Sequence, residues 1–227
     1  MTSMVIVSHL KKTYDTQVVI DDLSFSVPRA GRVAVFAPSG AGKTTLIEIL
    51  AGLQKPDEGT FQISAHRPAV IFQEPRLFPY MTVEENILLP FKIQGRNGPE
   101  LKDYETWLSI CGLDSFRLHY PYQLSGGMKQ KVSFIRGILQ NPDFLVMDEP
   151  FQSIGRQSKQ AIINHLLNTH PDVTLLLITH DPEEVKWIAH TMLYFHSPVL
   201  DRYAIVNTTD PSFETFRRSD LSFLEVM

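Results

Sequence analysis

Apolar and polar positions follow two periods along the chain, and the change of period marks its elements. Met4 to Val7, Val18 to Val27 and Arg32 to Phe36 are rich in β-branched and aromatic side chains, with Asp21-Asp22 and Pro28-Arg29-Ala30-Gly31 as turn-like punctuation; these runs predict strands. After Lys43 the run TTLIEILAGL places apolar residues at helical spacing and stops at Gly52, with Lys55-Pro56-Asp57 beyond it; this predicts a helix with a defined end. Gly59 to Ser64 and Ala69 to Phe72 return to short strands, parted by His66-Arg67-Pro68.

From Thr82 to Tyr120 the character changes. Val83 to Leu89 and Glu100 to Cys111 are helical stretches, the second with apolar positions at Leu101, Trp107, Leu108 and Cys111, and together they predict a helical insertion. Ser125 is placed to cap a helix running to about Leu139, and Asn141-Pro142-Asp143 ends it before a buried strand at Phe144 to Met147. A helix over Arg156 to Thr169 precedes a strand over Val173 to Ile178. Alternating strands and helices predict an α/β fold with a mostly parallel sheet covered on both faces.

Composition narrows the function. The chain has 227 residues, enough for one large α/β domain with a buried core. Its 25 acidic residues against 21 basic ones give a formal charge of -4, which offers phosphate backbones no general attraction and argues against a nucleic-acid partner. Cys111 is the only cysteine; it reads as a small buried hydrophobe, and the chain as one from a reducing compartment with no cysteine metal cluster. No apolar run approaches the ~18 to 20 residues that cross a bilayer, and the run Met4 to Val7 is too short for a secretory signal. The expected location is the cytoplasm.

Chemistry concentrates at four places. APSGAGKTT, residues 37 to 45, follows a predicted strand and opens a predicted helix, the context a nucleotide phosphate loop requires. Gly40 and Gly42 let backbone N–H groups turn toward phosphate oxygens, and the helix start adds its positive dipole end. Ser39, Gly40, Ala41, Gly42, Lys43, Thr44 and Thr45 form this cradle, with Lys43 charging the β and γ phosphates and Thr44 offering a hydroxyl to Mg²⁺. Ala37 replaces the first glycine usual in such loops. FLVMDEP, residues 144 to 150, is an apolar strand ending in two carboxylates: Asp148 suits the magnesium and Glu149 the water that attacks the γ phosphate. His180, after the strand LLLIT, is expected at the carboxyl edge of the sheet, within reach of that phosphate. Gln73 offers an amide to both metal and water, and Tyr14 a flat ring for adenine.

LSGGMKQK, residues 124 to 131, lies upstream of the acid strand, and here the sequence resembles the ATP-binding cassette (ABC) family. The resemblance covers nearly the whole chain. It implies a P-loop NTPase core with an antiparallel β subdomain and a helical signature subdomain. The chain then reads as a single domain over 1–227, with 1–81 and 140–227 as core and β subdomain and about 82–139 as the helical part. Tyr14 matches the adenine-stacking position, Lys43 the phosphate lysine, Gln73 the glutamine loop, Asp148 and Glu149 the acid pair, and His180 the switch histidine. Ser125, Gly126 and Gly127 match the segment that binds the γ phosphate of ATP held by an opposing subunit, so two subunits sandwich two ATP molecules head to tail. FQEPRLFPYMTVEENI, residues 72 to 87, looks like the corresponding stretch of importer ATPases for nitrate, sulfonates, taurine and related solutes, and would face a transmembrane permease with Phe78, Pro79 and Tyr80.

The resemblance therefore implies an ATP- and Mg²⁺-dependent ATPase at the cytoplasmic face of the membrane. It would power uptake of a small solute together with a permease, a second ATPase subunit and an extracytoplasmic solute-binding protein. Alternatives are an exporter motor, a soluble cassette ATPase of DNA repair or translation, and a small-molecule kinase, which has no use for LSGG. Relatives carry a segment close to SALD after the acid pair, where this chain has QSIG at Gln152 to Gly155. The missing aspartate predicts weaker basal turnover and leaves room for a heteromeric pair. A chain ending near Met227 leads us to expect no carboxy-terminal regulatory domain.

Overall fold

The structure, a computed structural model, describes residues 2–210 and 213; the expectation about the carboxy-terminal end falls outside them. In chain order the elements are β1 (Ser3–Tyr14), β2 (Gln17–Pro28), β3 (Arg32–Phe36), α1 (Lys43–Leu50), β4 (Glu58–Ile63), β5 (Pro68–Ile71), α2 (Val83–Ile93), α3 (Leu101–Cys111), α4 (Gly126–Ile138), β6 (Phe144–Asp148), α5 (Arg156–Thr169), β7 (Thr174–Ile178), α6 (Pro182–Ile188), β8 (Thr191–Phe195) and β9 (Tyr203–Asn207). Two short 3-10 turns, Asp114–Phe116 and Pro121–Gln123, precede α4. Among the described residues no helix is long and apolar enough to cross a membrane.

The described chain forms two compact units, one built from residues up to Ala65 and again from Asp172, the other from His66–Pro171. In the first, β1 lies between β2 and β4 in an antiparallel sheet. Burial along β1 and β2 alternates, as in a sheet with one covered face. β1 runs on through Ser8 to Lys12, polar apart from the buried Leu10, where the hydropathy pattern gives no strand, and its pairing with β2 shifts register there. Bulges of this kind keep the segment paired on both sides while Leu10 stays buried.

The second sheet of this unit centres on β3, which pairs in parallel with β7 on one side and β8 on the other; β9 closes the edge antiparallel to β8. β7 is buried at all five positions and β3 at four of five, so both faces are covered. At the start of β3, Arg32 Nε donates to His190 Nε2 at 3.0 Å. Burial, then the neighbouring guanidinium, lowers the His190 pKa, so the ring stays a neutral acceptor.

In the second unit β5 and β6 pair in parallel, Pro68 opposite Phe144 and Ile71 opposite Met147. α2, α3 and α4 belong to the same compact unit as these strands, with α4 packed on β5; the unit is thus wider than the helical insertion over 82–139. Gln130 Nε2 donates to the Phe72 carbonyl at 3.2 Å and Arg136 NH2 to that of Pro75 at 2.9 Å, which ties α4 to the segment after β5. Trp107, Phe134 and Phe151 form the aromatic centre, with ring centroids 5.6 and 5.7 Å apart. Cys111 is buried, and burial pushes its thiol up to about 12, so it packs as an inert small hydrophobe.

α2 starts at a capping box, Thr82 with Glu85, and runs through Pro90 to Ile93, past the expected end at Leu89. Proline removes one helical hydrogen bond, but burial of Val83, Ile87 and Phe91 on one face carries the helix over it.

Candidate nucleotide site

In the first unit β3 ends at Phe36 and α1 begins at Lys43, with residues 37–42 as the connecting loop. Gly40 and Gly42 have φ of 79° and 81°, left-handed backbone that a side chain disfavours. A Cβ at Gly42 would also meet the Val19 carbonyl oxygen at 2.8 Å. Gly42 is the N-cap of α1, and no side chain caps this helix start. That leaves a helix N-terminus of the kind that takes an anion. Ala37 is 2% exposed and is not among the non-glycine residues of positive φ, so alanine fits where relatives carry glycine. Lys43 Nζ donates to the carbonyls of Ala37 at 2.9 Å and Pro38 at 2.8 Å, arching back over the loop, while Thr44 is exposed.

β3 and β7 run parallel, Val35 opposite Ile178, so the phosphate loop and His180 leave the sheet at one edge. His180 is exposed, and the turn that presents it is pinned by its buried neighbour. Thr179 Oγ1 donates to Glu184 Oε2 at 2.7 Å and accepts the Asp181 N–H at 3.0 Å. Tyr14 ends β1 and is 41% exposed; its hydroxyl donates to Gln54 Oε1 at 2.5 Å, and Lys12 Nζ lies 5.5 Å from its ring centroid. Gln54 lies beyond the carboxyl end of α1, which anchors the Tyr14 hydroxyl there.

In the second unit the parallel pair β5 and β6 brings Gln73 and the acid pair to one edge. Asp148 ends β6 and is 1% exposed, and Glu149 is 7% exposed. Glu149 has φ 44°, a left-handed conformation uncommon for a side-chain-bearing residue and concentrated at functional sites. Gln73 is exposed, and its Nε2 donates to Gln152 Oε1 at 3.1 Å.

Ser125 is the N-cap of α4, its Oγ accepting the Met128 N–H at 3.3 Å. Ser125 and Gly126 are exposed. At Gly127 an added Cβ would stand 2.3 Å from the Ser153 carbonyl oxygen, so glycine lets the loop after the acid pair lie against the start of α4. Sequence reasoning singled out neither Gln152 nor the Thr179–Glu184 pair. Gln152 was visible only as a departure from SALD, and a threonine five residues before a glutamate carries no motif.

Comparison with known proteins identifies the family. The family model described as ABC transporter matches residues 20–152. The chain is 32% identical to the aliphatic sulfonates import ATP-binding protein SsuB of Bacillus anthracis, over 94% of this chain and 91% of that protein. It is also 32% identical to the sulfate/thiosulfate import ATP-binding protein CysA of Mycobacterium bovis, over 86% of this chain and 60% of that longer protein. A solved structure of an ATP-binding subunit of an ABC transporter superposes with a TM-score of 0.82 at 26% identity, covering 99% of this chain and 98% of the other. The P-loop fold of two sheets and a helical part is therefore that of a cassette ATPase, and the chain belongs to the ABC transporter family as one of its ATP-binding, ATP-hydrolysing subunits.

Proposed function

We propose that this chain powers uptake of a small solute through a separate transmembrane permease, working at the cytoplasmic face of the membrane as one of two ATPase subunits. The sulfonate and sulfate/thiosulfate relatives are import proteins by name, which supports that direction. A solute-binding protein outside the cytoplasm completes such a system. Phe78 and Tyr80, 49% and 92% exposed, are the side chains offered to the permease. Their loop is held from beneath by the fully buried Asn86, whose Oδ1 accepts the Phe78 N–H at 2.8 Å and whose Nδ2 lies 3.0 Å from the Met81 carbonyl. A rigid loop carrying exposed aromatic rings suits a surface that must transmit movement.

Within the chain, the phosphate loop from Ser39 to Thr45 holds the triphosphate, Lys43 faces its β and γ oxygens, and Tyr14 takes the adenine. Thr44, Asp148 and Gln73 supply a hydroxyl, a carboxylate and an amide oxygen, a donor set that fits a hard cation such as Mg²⁺. That ion supplies charge neutralisation at the phosphates. Glu149 accepts the proton of the attacking water, and His180 steadies the γ phosphate.

The observation that carries the two-subunit reading is the exposed start of α4. Ser125 and Gly126 present a solvent-facing helix N-terminus in the LSGG segment, and a second copy's γ phosphate is the anion that suits it. ATP binds the closed pair better than the open one, which gives the nucleotide its hold on the conformational cycle. Glu149→Gln keeps the shape and removes the base. With ATP and Mg²⁺ it should bind nucleotide, turn over at least about a hundredfold more slowly and elute from gel filtration as a dimer. Monomer alone under those conditions removes the sandwich.

A further inference from the structure

We propose that Gln152 is a positioning residue for ATP hydrolysis, holding the Gln73 amide so that its oxygen is the end left facing the metal and the attacking water. The proposal rests on the reading of Gln73 given above and deepens it.

A glutamine amide carries a donor end and an acceptor end on one carbon, and which end faces outward depends on what engages the other. Here the Gln73 Nε2 is engaged, donating to Gln152 Oε1 at 3.1 Å. Mg²⁺ takes only the oxygen, and a water losing a proton needs an acceptor. With the Gln152 oxygen as its partner, the Gln73 amide has its own oxygen as the end left outward.

Both backbones are held, so the amides are the parts left to turn. Gln152 sits in a turn between two buried anchors, Phe151 and Ile154, 0% and 7% exposed. Its N–H lies 3.4 Å from the Glu149 carbonyl, and the Ile154 N–H is 3.0 Å from that of Phe151. The next carbonyl, Ser153, is packed against Gly127. On the other side Gln130 and Arg136 hold the carbonyls of Phe72, Pro75 and Arg76 around Gln73. A single turn thus carries Gln152, abuts the LSGG helix start and follows directly on Glu149.

QSIG differs from SALD at all four positions, most in chemistry at the two ends. Serine at 152 has one rotatable bond and a short hydroxyl, whereas glutamine reaches across with an acceptor. Where relatives use an aspartate that signals to the other subunit, this chain carries Gly155 and has gained a link within itself. Both glutamines are exposed, so the bond competes with water and is modest.

Steady-state ATPase of the purified full-length chain, with kcat and the Mg²⁺ concentration for half-maximal rate read separately, tests this. Gln152→Met should lower kcat about fivefold, the weight of one exposed neutral hydrogen bond, and raise the Mg²⁺ requirement, with Tm unchanged. Gln152→Ser is the second deletion variant should methionine disturb the fold. Gln152→Glu keeps an acceptor and cannot donate, so it should restore kcat to within about twofold. Gln73→Ala should be slower than either deletion, and adding Gln152→Met to it should change nothing further. The proposal is overturned if Gln73→Ala is slow while both Gln152 deletions turn over normally, if the effects multiply in the double variant, or if Gln152→Glu is as slow as Gln152→Met. A Gln73→Ala chain with normal kcat would instead overturn the role of Gln73 itself, and this proposal with it.

Discussion

Two adjacent glycines in the LSGG segment have different physical duties. Gly127 is needed for space, because a methyl there would meet the Ser153 carbonyl at 2.3 Å, well inside contact distance. At Gly126 the nearest neighbour, Ser153 Oγ, stands 4.0 Å away. Gly127→Ala should therefore cost about 1 to 3 kcal/mol of stability, read as a lower urea midpoint, while Gly126→Ala should match the parent or exceed it by a few tenths of a kcal/mol, as alanine favours helix. Equal midpoints for the two would show that the loop after the acid pair moves aside without cost. At this scale the motif residues were legible because phosphate chemistry fixes their types and spacing. Gln152, Thr179 and Glu184 were not, because each acquires its role only from a partner that folding brings near. Ala37 was legible as a departure, yet whether alanine is tolerated there turns on a backbone angle.

At the scale of elements, Gly155 is the N-cap of α5, with φ -62°, ψ 147° and no side-chain cap. An added Cβ would find open space there. The aspartate of SALD would thus stand at a position where aspartate is among the preferred caps. Gly155→Asp should raise stability by a few tenths of a kcal/mol, a shift of about 1 to 2 °C in Tm, and should raise basal turnover if the missing aspartate is what weakens it. A higher Tm with unchanged rate and cooperativity would confine the residue to helix capping.

Elements with a strong helical period, such as α3 and α4, or an unbroken buried apolar run, such as β6 and β7, were legible to within a residue or two. The pattern ends β1 at Val7, because its outer half is polar apart from Leu10, and pairing on both sides with one buried leucine keeps it extended. The pattern marked nothing for α6, β8 and β9. α6 has seven residues, too few to establish a period, and β9 is an edge strand whose residues are half-buried or exposed.

At the scale of the whole molecule, fold class and family were legible, since a P-loop, an acid strand and LSGG in that order leave few alternatives. The unit boundary was not: the grouping of β5 and β6 with α2 to α5 is set by packing, which no local pattern records. β3, the strand that leads into the phosphate loop, has both of its ladder neighbours, β7 and β8, encoded after residue 173. During synthesis the loop therefore leaves the ribosome before either ladder partner of its strand exists, and a nascent chain carrying APSGAGKTT alone is expected to lack a working grip on nucleotide. A chain stopped after Pro171 should give no ATP-dependent rise in Tm, and one extended through Asn207 should recover it; equal shifts in the two would mean that β3 is ordered without its flanking strands. Occupancy by the cell's abundant ATP thus becomes a late event, reserved for molecules whose last strands have already been laid down.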